Sequence, residues 1–380
     1  MVSSSRPGWR IAALSVSLVA SLATLPTSPA AADQNRSGSA PKVVASGLNN
    51  PRHIRWADGA LYVAESGVGG TGPCITAGEG VNCYGTSGSI TRIKKGSQAR
   101  VVTGLPSIAG EGGVSATGPS DVSVRGRNFK VVIGLGADPA ARAQLPRLGQ
   151  KMATLSKGRF GRSGLSVVAD LGRYEAKKNP DGKQIDTNPV ALLSKGRRDV
   201  AVDAGGNSLL SVQRHRGIRT LATFPTVDVP APPFLGLPPG TLIPMDAVPT
   251  AAAYGPDGAL YVSQLTGFPF PVGGASIWRV APGKAPTKYA TGLTNVTDLA
   301  FGRDGSLYAV QIADAGLLGA PVGSVVRIPR GGGASHSTLV GQLNSPYGIA
   351  LHDGSAYVTT CSTCAGGGEV LRVSLKRPAS

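Results

Sequence analysis

A small set of histidine and carboxylate side chains stands at matching places along this chain. His53, Asp121 and Asp298 each stand at the third position of a strand, counted from the proline that starts it or from the residue equivalent to that proline. Glu65 and Asp203 each stand at the end of the strand that comes next. Carboxylate oxygens suit a hard cation such as Ca²⁺, whereas an imidazole suits a softer one. A bound cation could activate a lactone or water. The sequence therefore predicts a metal site formed by His53, Asp121 and Asp298.

Amide and aromatic side chains extend this set. Gln264 and Gln311 take the place of Glu65 in two other strands, and Phe268 and Phe270 stand beside prolines in one loop. We predict that these residues contribute to a ligand-binding site, with the two rings forming one wall of it. A structural alternative stays open, in which the polar groups hydrogen-bond turns and buried water and the rings pack their own loop.

Motifs for nucleophilic hydrolysis or nucleotide binding are missing from the sequence. It contains no Gly-x-Ser-x-Gly, no phosphate-binding loop and no His-Glu-x-x-His, so those activities have no support. Two functions remain. The chain either binds a small molecule or an extracellular partner on one face, or it is a metal-dependent hydrolase or oxidoreductase that acts through the predicted cation.

An internal repeat positions these residues, with a spacing in the high forties where no insertion intervenes. In each copy an Asp-Gly turn precedes an alternating aliphatic and aromatic strand, because glycine accepts the positive φ of a tight hairpin turn. A third strand with a recurring arginine follows, and a Gly-Leu element leads into the next copy. The clearest turn-and-strand copies are residues 58–65, 257–264, 304–311 and 353–360.

Two degenerate copies between Val101 and Phe224 bring the total to six. The sequence thus predicts an all-β fold, a six-bladed β-propeller of four-stranded blades over residues 42–375. The last copy lacks its final strand, so the N-terminal strand is expected to complete it and close the ring. Most of the candidate side chains then point toward one axis, where any cation would lie in the central channel. The two predicted rings are His53, Asp121, Ala191, Ala251, Asp298 and Gly348, and Glu65, Asp203, Gln264, Gln311 and Thr360.

Two insertions interrupt the repeats. Residues 138–155 predict a short broken helix, because Asp138 suits an N-cap and Pro139 the first helical position. Residues 224–248 are rich in proline and predict an ordered loop over one face. We expect both insertions and the Phe268–Phe270 loop to shape the same face.

The first 32 residues predict a secretory signal peptide. Arg6 and Arg10 precede an apolar run too short to span a bilayer, and three alanines end at residue 32 as a cleavage site. A short membrane anchor is the alternative. Residues 33–41 are expected to be a flexible segment and 376–380 a C-terminal tail. The predicted product is a secreted monomer without membrane association, or a periplasmic one where the source has an outer membrane.

The four cysteines form two close pairs, Cys74 with Cys83 and Cys361 with Cys364. Two local disulfides are predicted, which agrees with an oxidising compartment. For the second pair, a redox-active dithiol or half of a zinc site are the alternatives, although no further Cys-x-x-Cys or His-x₃-His accompanies it.

The chain is strongly basic. Its formal net charge is +17, which becomes +15 without Arg6 and Arg10, and this favours an anionic ligand such as a wall polymer or an acidic polysaccharide. The lysines and arginines are scattered and no nucleic-acid motif accompanies them, so specific binding of nucleic acid is not expected.

Residues 237–271, with Tyr-Gly-Pro-Asp-Gly-Ala-Leu-Tyr-Val at their centre, resemble the ScyD/ScyE family of secreted proteins. Residues 179–182, 188–189, 202–210 and 289–301 carry the same resemblance, which covers essentially the whole mature chain. It implies a six-bladed propeller of the NHL/TolB-like kind, in a family named for members associated with biosynthesis of a cyanobacterial sunscreen pigment. It implies no chemistry, and Gln264 and Gln311 stand where an acidic residue would be expected to follow Tyr-Val.

Overall fold

The computed structural model describes residues 40–78, 80–213 and 215–375. The predicted signal peptide, the tail at 376–380 and all but the last two residues of the 33–41 segment lie outside this range. No helix within the described residues is long and apolar enough to span a membrane.

Almost all regular structure is β-strand, arranged as six antiparallel sheets and one separate hairpin. Strand β1 is Lys42–Leu48. Blade 1 contains β2 (Pro51–Ala57), β3 (Ala60–Glu65), β4 (Cys74–Ala77), β5 (Gly80–Lys94) and β6 (Ser97–Ala109). Blade 2 contains β7 (Pro119–Arg125), β8 (Asn128–Ile133), β9 (Thr154–Arg159) and β10 (Ser166–Asp170), and helix α1 (Leu171–Lys178) follows it. Blade 3 contains β11 (Pro189–Lys195), β12 (Arg198–Asp203), β13 (Ser208–Gln213) and β14 (Gly217–Thr223).

The second half of the chain continues the pattern. The hairpin is β15 (Val227–Pro230) with β16 (Leu242–Met245). Blade 4 contains β17 (Pro249–Tyr254), β18 (Leu260–Gln264), β19 (Ala275–Val280) and β20 (Thr287–Leu293). Blade 5 contains β21 (Val296–Phe301), β22 (Leu307–Gln311), β23 (Val322–Ile328) and β24 (Ser337–Asn344). Blade 6 contains β25 (Ile349–His352), β26 (Ser355–Thr360) and β27 (Gly368–Ser374).

The six blades form a closed ring. The inner strands contact one another in the order β2, β7, β11, β17, β21 and β25, and β25 contacts β2 again. Strand β1 pairs antiparallel with β27 and supplies the fourth strand of blade 6. The all-β, six-bladed propeller closed by its N-terminal strand is therefore confirmed.

Hydrophobic side chains fill the interfaces between neighbouring blades. Ile90 of blade 1 packs in one cluster with Ile133 of blade 2, and Leu155 of blade 2 packs in the next with Leu192 of blade 3. Similar clusters join the remaining neighbours around the ring. Because every blade is packed on two sides, second strands such as β3 are buried along their full length.

The long connections lie on one side of the ring, which we call the upper face. Inner strands begin at this face and second strands end at it, because the two are antiparallel neighbours. The 138–155 insertion follows β8 and forms two short 3₁₀ helices, Pro139–Gln144 and Gly149–Lys151, with Asp138 capping the first. Residues 224–248 contain the β15–β16 hairpin, which the sequence indicated only as a loop. Helix α1 was not predicted at all.

Both predicted disulfides are present, Cys74–Cys83 and Cys361–Cys364. Each closes a loop of the upper face, one within the β4–β5 hairpin and the other between β26 and β27. Disulfides are typical of oxidising compartments.

Candidate functional site

Inner strands carry a β-bulge at their start. In blade 2, Pro119 pairs with Ile133 and Asp121 with Val132, so that Ser120 is the extra residue. The same register shift occurs in blades 3, 4 and 5, and a related one follows Pro51 in blade 1. A bulge changes the direction of its side chain. The bulge explains why, in blades 1 to 5, the second residue of the inner strand lines the cavity described next and the third residue does not.

A cavity of about 290 Å³ lies at the upper mouth of the central channel. Its wall combines the second residues of the inner strands with residues of the upper connections. The inner-strand residues are Arg52, Ser120, Val190, Thr250 and Thr297, and Tyr347 takes the corresponding place in blade 6. The connections add Asn188, Ala204, Val248, Leu265, Ile312 and Leu317, among others. The wall is thus hydroxyl-rich and aliphatic.

Arg52 is the one charged side chain among the residues that line this cavity. Its guanidinium lies over the Tyr347 ring, 4.9 Å from the centroid. Nε donates to Ser66 Oγ at 3.3 Å and Nη2 donates to the Ala116 carbonyl at 2.7 Å. Nη1 donates no hydrogen bond to any described residue, and no described carboxylate pairs with Arg52. Burial lowers the pKa of this guanidinium below its ordinary value, and the Tyr347 hydroxyl offsets part of that shift.

A second arginine of β2, Arg55, occupies the place predicted for a metal ion. It contacts Asp121 through Nε at 3.0 Å and Nη2 at 2.6 Å, and its Nη1 lies 3.3 Å from Asp298 Oδ2. Burial would lower the Arg55 pKa, but the two carboxylates raise it above its ordinary value. The cation between Asp121 and Asp298 is therefore a guanidinium, where the sequence analysis predicted Ca²⁺ or a softer ion.

The same two carboxylates also connect adjacent blades. Asp121 Oδ2 accepts a hydrogen bond from the Leu192 amide of blade 3, and Asp298 Oδ2 accepts one from the Ile349 amide of blade 6. Within the described part of the chain, no group of three His, Cys, Asp or Glu side chains converges as a metal site.

His53 completes this layer between the blades. It is fully buried, and its Nδ1 lies 3.1 Å from the Ser120 carbonyl. Because a carbonyl only accepts, Nδ1 carries the proton. Nε2 has no hydrogen-bond partner among the described residues and lies 3.8 Å from Asp298 Oδ1. The structure thus brings His53, Asp121 and Asp298 together, with their polar atoms directed at neighbouring blades.

In the second of the two predicted rings, three residues bind the connections that lead into the inner strands. Glu65 accepts from the Asn49 amide, Asp203 from the Asn188 amide and Gln311 from the Thr294 amide, each at 2.7 Å. Gln264 differs, because its Oε1 accepts from the indole of Trp278 at 3.0 Å. These contacts favour the structural alternative for all four residues.

Glu65 has a further partner. Its carboxylate receives Arg100 Nη2 at 2.7 Å and Thr91 Oγ1 at 2.5 Å. Arg100 also donates to the Gly47 carbonyl of β1. Glu65 therefore joins blade 1 to the strand that closes the ring, and its side chain is fully buried in that role.

The two phenylalanines lie on the upper face beside the cavity rather than in its wall. Their rings contact each other, and Phe268 also contacts Phe234, which is 67% exposed. Leu317, which lines the cavity, and Val272 are partly exposed as well. Aromatic and aliphatic side chains therefore form an apolar surface on this face.

Sequence reasoning missed the residues that form the cavity wall, Arg52, Thr250 and Thr297 above all. Each directly follows the first residue of an inner strand. A repeat alignment alone assumes regular strands, in which every second side chain lies on the same face. On that assumption the third residue of each inner strand faces the axis and the second does not. The strand-starting proline is the available signal, since it marks the place where the ladder is irregular.

The chain is similar to many solved structures. In all, 362 chains match. A protein of unknown function from Bacteroides thetaiotaomicron is similar over 89% of this chain and 73% of its own, with a TM-score of 0.51 and 10% identity. A PQQ-bound aldose sugar dehydrogenase from Streptomyces coelicolor covers 88% of this chain and 96% of its own, with a TM-score of 0.49 and 13% identity.

A putative gluconolactonase structure covers 90% of this chain and 96% of its own, with a TM-score of 0.48 and 10% identity. No protein-family model matches the chain, and no curated protein sequence is significantly similar to it. At these identities the likeness concerns the fold alone, and the chain is a six-bladed β-propeller with a cavity at the mouth of its channel.

Proposed function

We propose that this propeller binds a small organic anion in the cavity at the upper mouth of its channel, with the anionic group on Arg52. The observation that carries the proposal is that this guanidinium has no anionic partner among the described residues. It is half-buried, it has no carboxylate partner among the described residues, and one of its nitrogens makes no hydrogen bond to them.

Two other arginines that contact buried carboxylates make the contrast clear. Arg55 is paired with Asp121 and Asp298, and Arg100 is paired with Glu65. Removing a charge from water is costly unless a partner compensates it, and a guanidinium recognises carboxylates through paired hydrogen bonds. A ligand carboxylate or phenolate would pair with Arg52, as carboxylates of the protein itself pair with Arg55 and Arg100.

The other residues of the cavity wall indicate more closely which class of ligand would fit. Thr250 and Thr297 already donate to carbonyls of the next blade, so their hydroxyls offer acceptor positions. Val190, Leu265 and Ile312 offer aliphatic contact. The cavity volume lies near the lower end of the usual range for small-molecule sites. The wall therefore suits a small acid with an apolar body rather than a polymer chain.

The setting of this activity is part of the proposal. The predicted signal peptide, the two disulfides and the ScyD/ScyE resemblance are consistent with a secreted, monomeric member of that family. The long connections on the upper face surround the cavity and would reach an extracellular ligand first.

The test compares acids with their neutral amides. A panel of small aromatic and aliphatic carboxylates and the matching carboxamides is screened by thermal shift, and hits are measured by calorimetry. We expect acids to bind and amides not to. Arg52→Met keeps the aliphatic stem and should weaken acid binding at least about tenfold, or about 1.4 kcal/mol, and Arg52→Lys should fall between.

Arg327→Met is the matched control, because Arg327 pairs with Tyr308 near the start of β22, at the end of the blade away from the channel mouth. It should bind the acids as the unaltered protein does. Equal affinity of Arg52→Met and the unaltered protein for every acid that binds would refute the proposal.

A further inference from the structure

Glu175 is a buried carboxylate that the proposed ligand site leaves unexplained. It lies on the inner side of α1, is 1% exposed, and neither Oε1 nor Oε2 has a hydrogen-bond partner among the described residues. Asp170 caps the start of this helix by accepting from the Arg173 amide, and Leu171, one turn before Glu175, is also buried. The helix thus holds Glu175 inward rather than letting it reach solvent.

Glycine makes room for this carboxylate. A Cβ added to Gly206 would lie 2.6 Å from Glu175 Oε2, so a larger residue would displace the acid. The same Cβ would lie 3.5 Å from the Asp186 carbonyl oxygen. The Glu175 carboxylate therefore faces the β12–β13 turn of blade 3, at a point where the connection from blade 2 to blade 3 passes with Asp186.

Two more oxygens in that connection lack partners. Asn179 Oδ1 and Asp186 Oδ1 are buried and accept no hydrogen bond from the described residues. The Asn179 amide nitrogen, in contrast, donates to the Lys183 carbonyl at 2.7 Å, which fixes the side chain in place. Four buried side-chain oxygens of the connection between blades 2 and 3, from Glu175, Asn179 and Asp186, thus have no donor among the described residues.

The surroundings are acidic. Burial, and then the charges of Asp203, Asp181 and Asp186, raise the pKa of Glu175 to about 8. No lysine or arginine of the described chain forms an ion pair with any of these four acids, although the protein carries a net charge of +17. These acids therefore lie close together without a lysine or arginine partner among the described residues, an arrangement that favours a bound cation.

We propose that Glu175, Asn179 and Asp186 bind a calcium ion between α1 and the connection to blade 3. Every available ligand atom is oxygen, which suits a hard cation, and Ca²⁺ accepts mixed carboxylate, amide and carbonyl ligands in flexible geometry. The proposed side-chain ligands are two carboxylates and an amide oxygen, with main-chain oxygen and water completing the roughly six to eight ligands that Ca²⁺ takes. No three acidic or histidine side chains in the described residues converge as ligands.

The neighbouring acids have other partners. Asp181 accepts from Lys183 and Asn207, and Asp203 accepts from Thr187, Asn188 and Gly206. They contribute negative potential rather than free ligand atoms.

The test uses the whole protein, stripped with a chelator and titrated with CaCl₂ by calorimetry. We expect one Ca²⁺ per chain and a melting temperature that rises with Ca²⁺ and falls with chelator. Glu175→Gln preserves the shape of the side chain and should weaken Ca²⁺ binding more than tenfold, and Asp186→Asn should also weaken it. The control Glu111→Gln alters an exposed acid elsewhere on the upper face and should leave binding unchanged.

Extracellular calcium modules bind at about 0.1–1 mM. Absence of both binding heat and a melting shift at about ten times the upper limit of that range would overturn the proposal. So would Ca²⁺ affinity of Glu175→Gln and Asp186→Asn equal to that of the unaltered protein. Neither result would bear on anion binding at Arg52, which is measured separately.

Discussion

Arg52 and Arg55 lie three residues apart on the same inner strand, and their surroundings give them different roles. Arg55 spans the channel between carboxylates of blades 2 and 5. Arg52 meets a carbonyl, a hydroxyl and an aromatic face, and none of these is an anion. The first guanidinium therefore stabilises the ring, and the second is the one with charge left for a ligand.

Loss of Arg55 should destabilise the whole propeller. Arg55→Met would leave Asp121 and Asp298 buried without a cation, and breaking a buried ion pair in this way costs about 3–5 kcal/mol. Arg327→Met removes a more exposed pair with Asp304 and should cost less than about 1 kcal/mol. Urea unfolding of the two variants measures both, and equal losses would contradict the role given to Arg55.

The polar residues of the site could be predicted from sequence, but their roles could not. The repeat identifies His53, Asp121 and Asp298 as equivalent and places them near the axis, where the structure has them. Their contacts depend on the adjacent blade, since Asp121 meets Leu192 and Asp298 meets Ile349. Arg55 reaches across the channel to a residue 243 positions away, and no local pattern indicates that pairing.

At the scale of the strand, a hairpin clamp in blades 4 and 5 gives the recurring arginine of the third strand a partner. Arg279 pairs with Asp257 and Arg327 pairs with Asp304, which is the aspartate of the preceding Asp-Gly turn in each case. The sequence analysis left this arginine without a partner. Each aspartate lies in the turn before the second strand, and each arginine lies on the third strand opposite the tyrosine of the second strand, so the pair fixes the turn to the third strand.

This clamp makes a pH-dependent contribution. Hydrogen bonds from Arg327 and from the Ser306 amide lower the pKa of Asp304 to about 2 from its ordinary 3.8. The clamp should therefore stabilise the fold above pH 3.8, with that stabilisation lost as the pH falls through about 2. Carboxyl NMR titration should give the low value in the unaltered protein and a higher one in Arg327→Met. An ordinary value in both proteins would show that the clamp is absent in solution.

Glycine has a specific role in the last strand of several blades. Gly47, Gly104 and Gly292 have φ values of 69°, 75° and 73°, and each precedes a buried leucine. Gln342 takes the same place in blade 5 with φ 59°. The Gly-Leu element that the sequence shows is thus a left-handed bend that turns the leucine inward, and the glutamine is its strained variant.

At the scale of the molecule, closure of the ring depends on β1. Leu48 is fully buried between blades 1 and 6, whereas Val43 on the same strand is 47% exposed. Leu48→Ala should lower the unfolding free energy by about 2–5 kcal/mol, and Val43→Ala, with little buried area to lose, by less than about 0.5 kcal/mol. Urea unfolding should remain a single transition in both. A Leu48→Ala variant as stable as Val43→Ala would show that β1 does not hold the ring closed.

The propeller itself was predictable because six copies of one pattern impose it, and even the missing strand of blade 6 identified β1 as its partner. Elements that occur once were not predictable in the same way. Helix α1 has only eight residues and a strongly polar sequence, and it is held by the buried Leu171 and Glu175 rather than by a long apolar face. The β15–β16 hairpin includes Pro230 and Pro244, which obscure its strand pattern.

The central proposal is that a small organic anion binds to Arg52. A crystal soaked with 4-bromobenzoate gives the position of the bound acid from the anomalous signal of bromine. We predict one strong peak inside the channel-mouth cavity, with the carboxylate within hydrogen-bond distance of the Arg52 guanidinium. Bromine peaks only at other arginines or lysines, with the cavity holding water alone, would contradict the account.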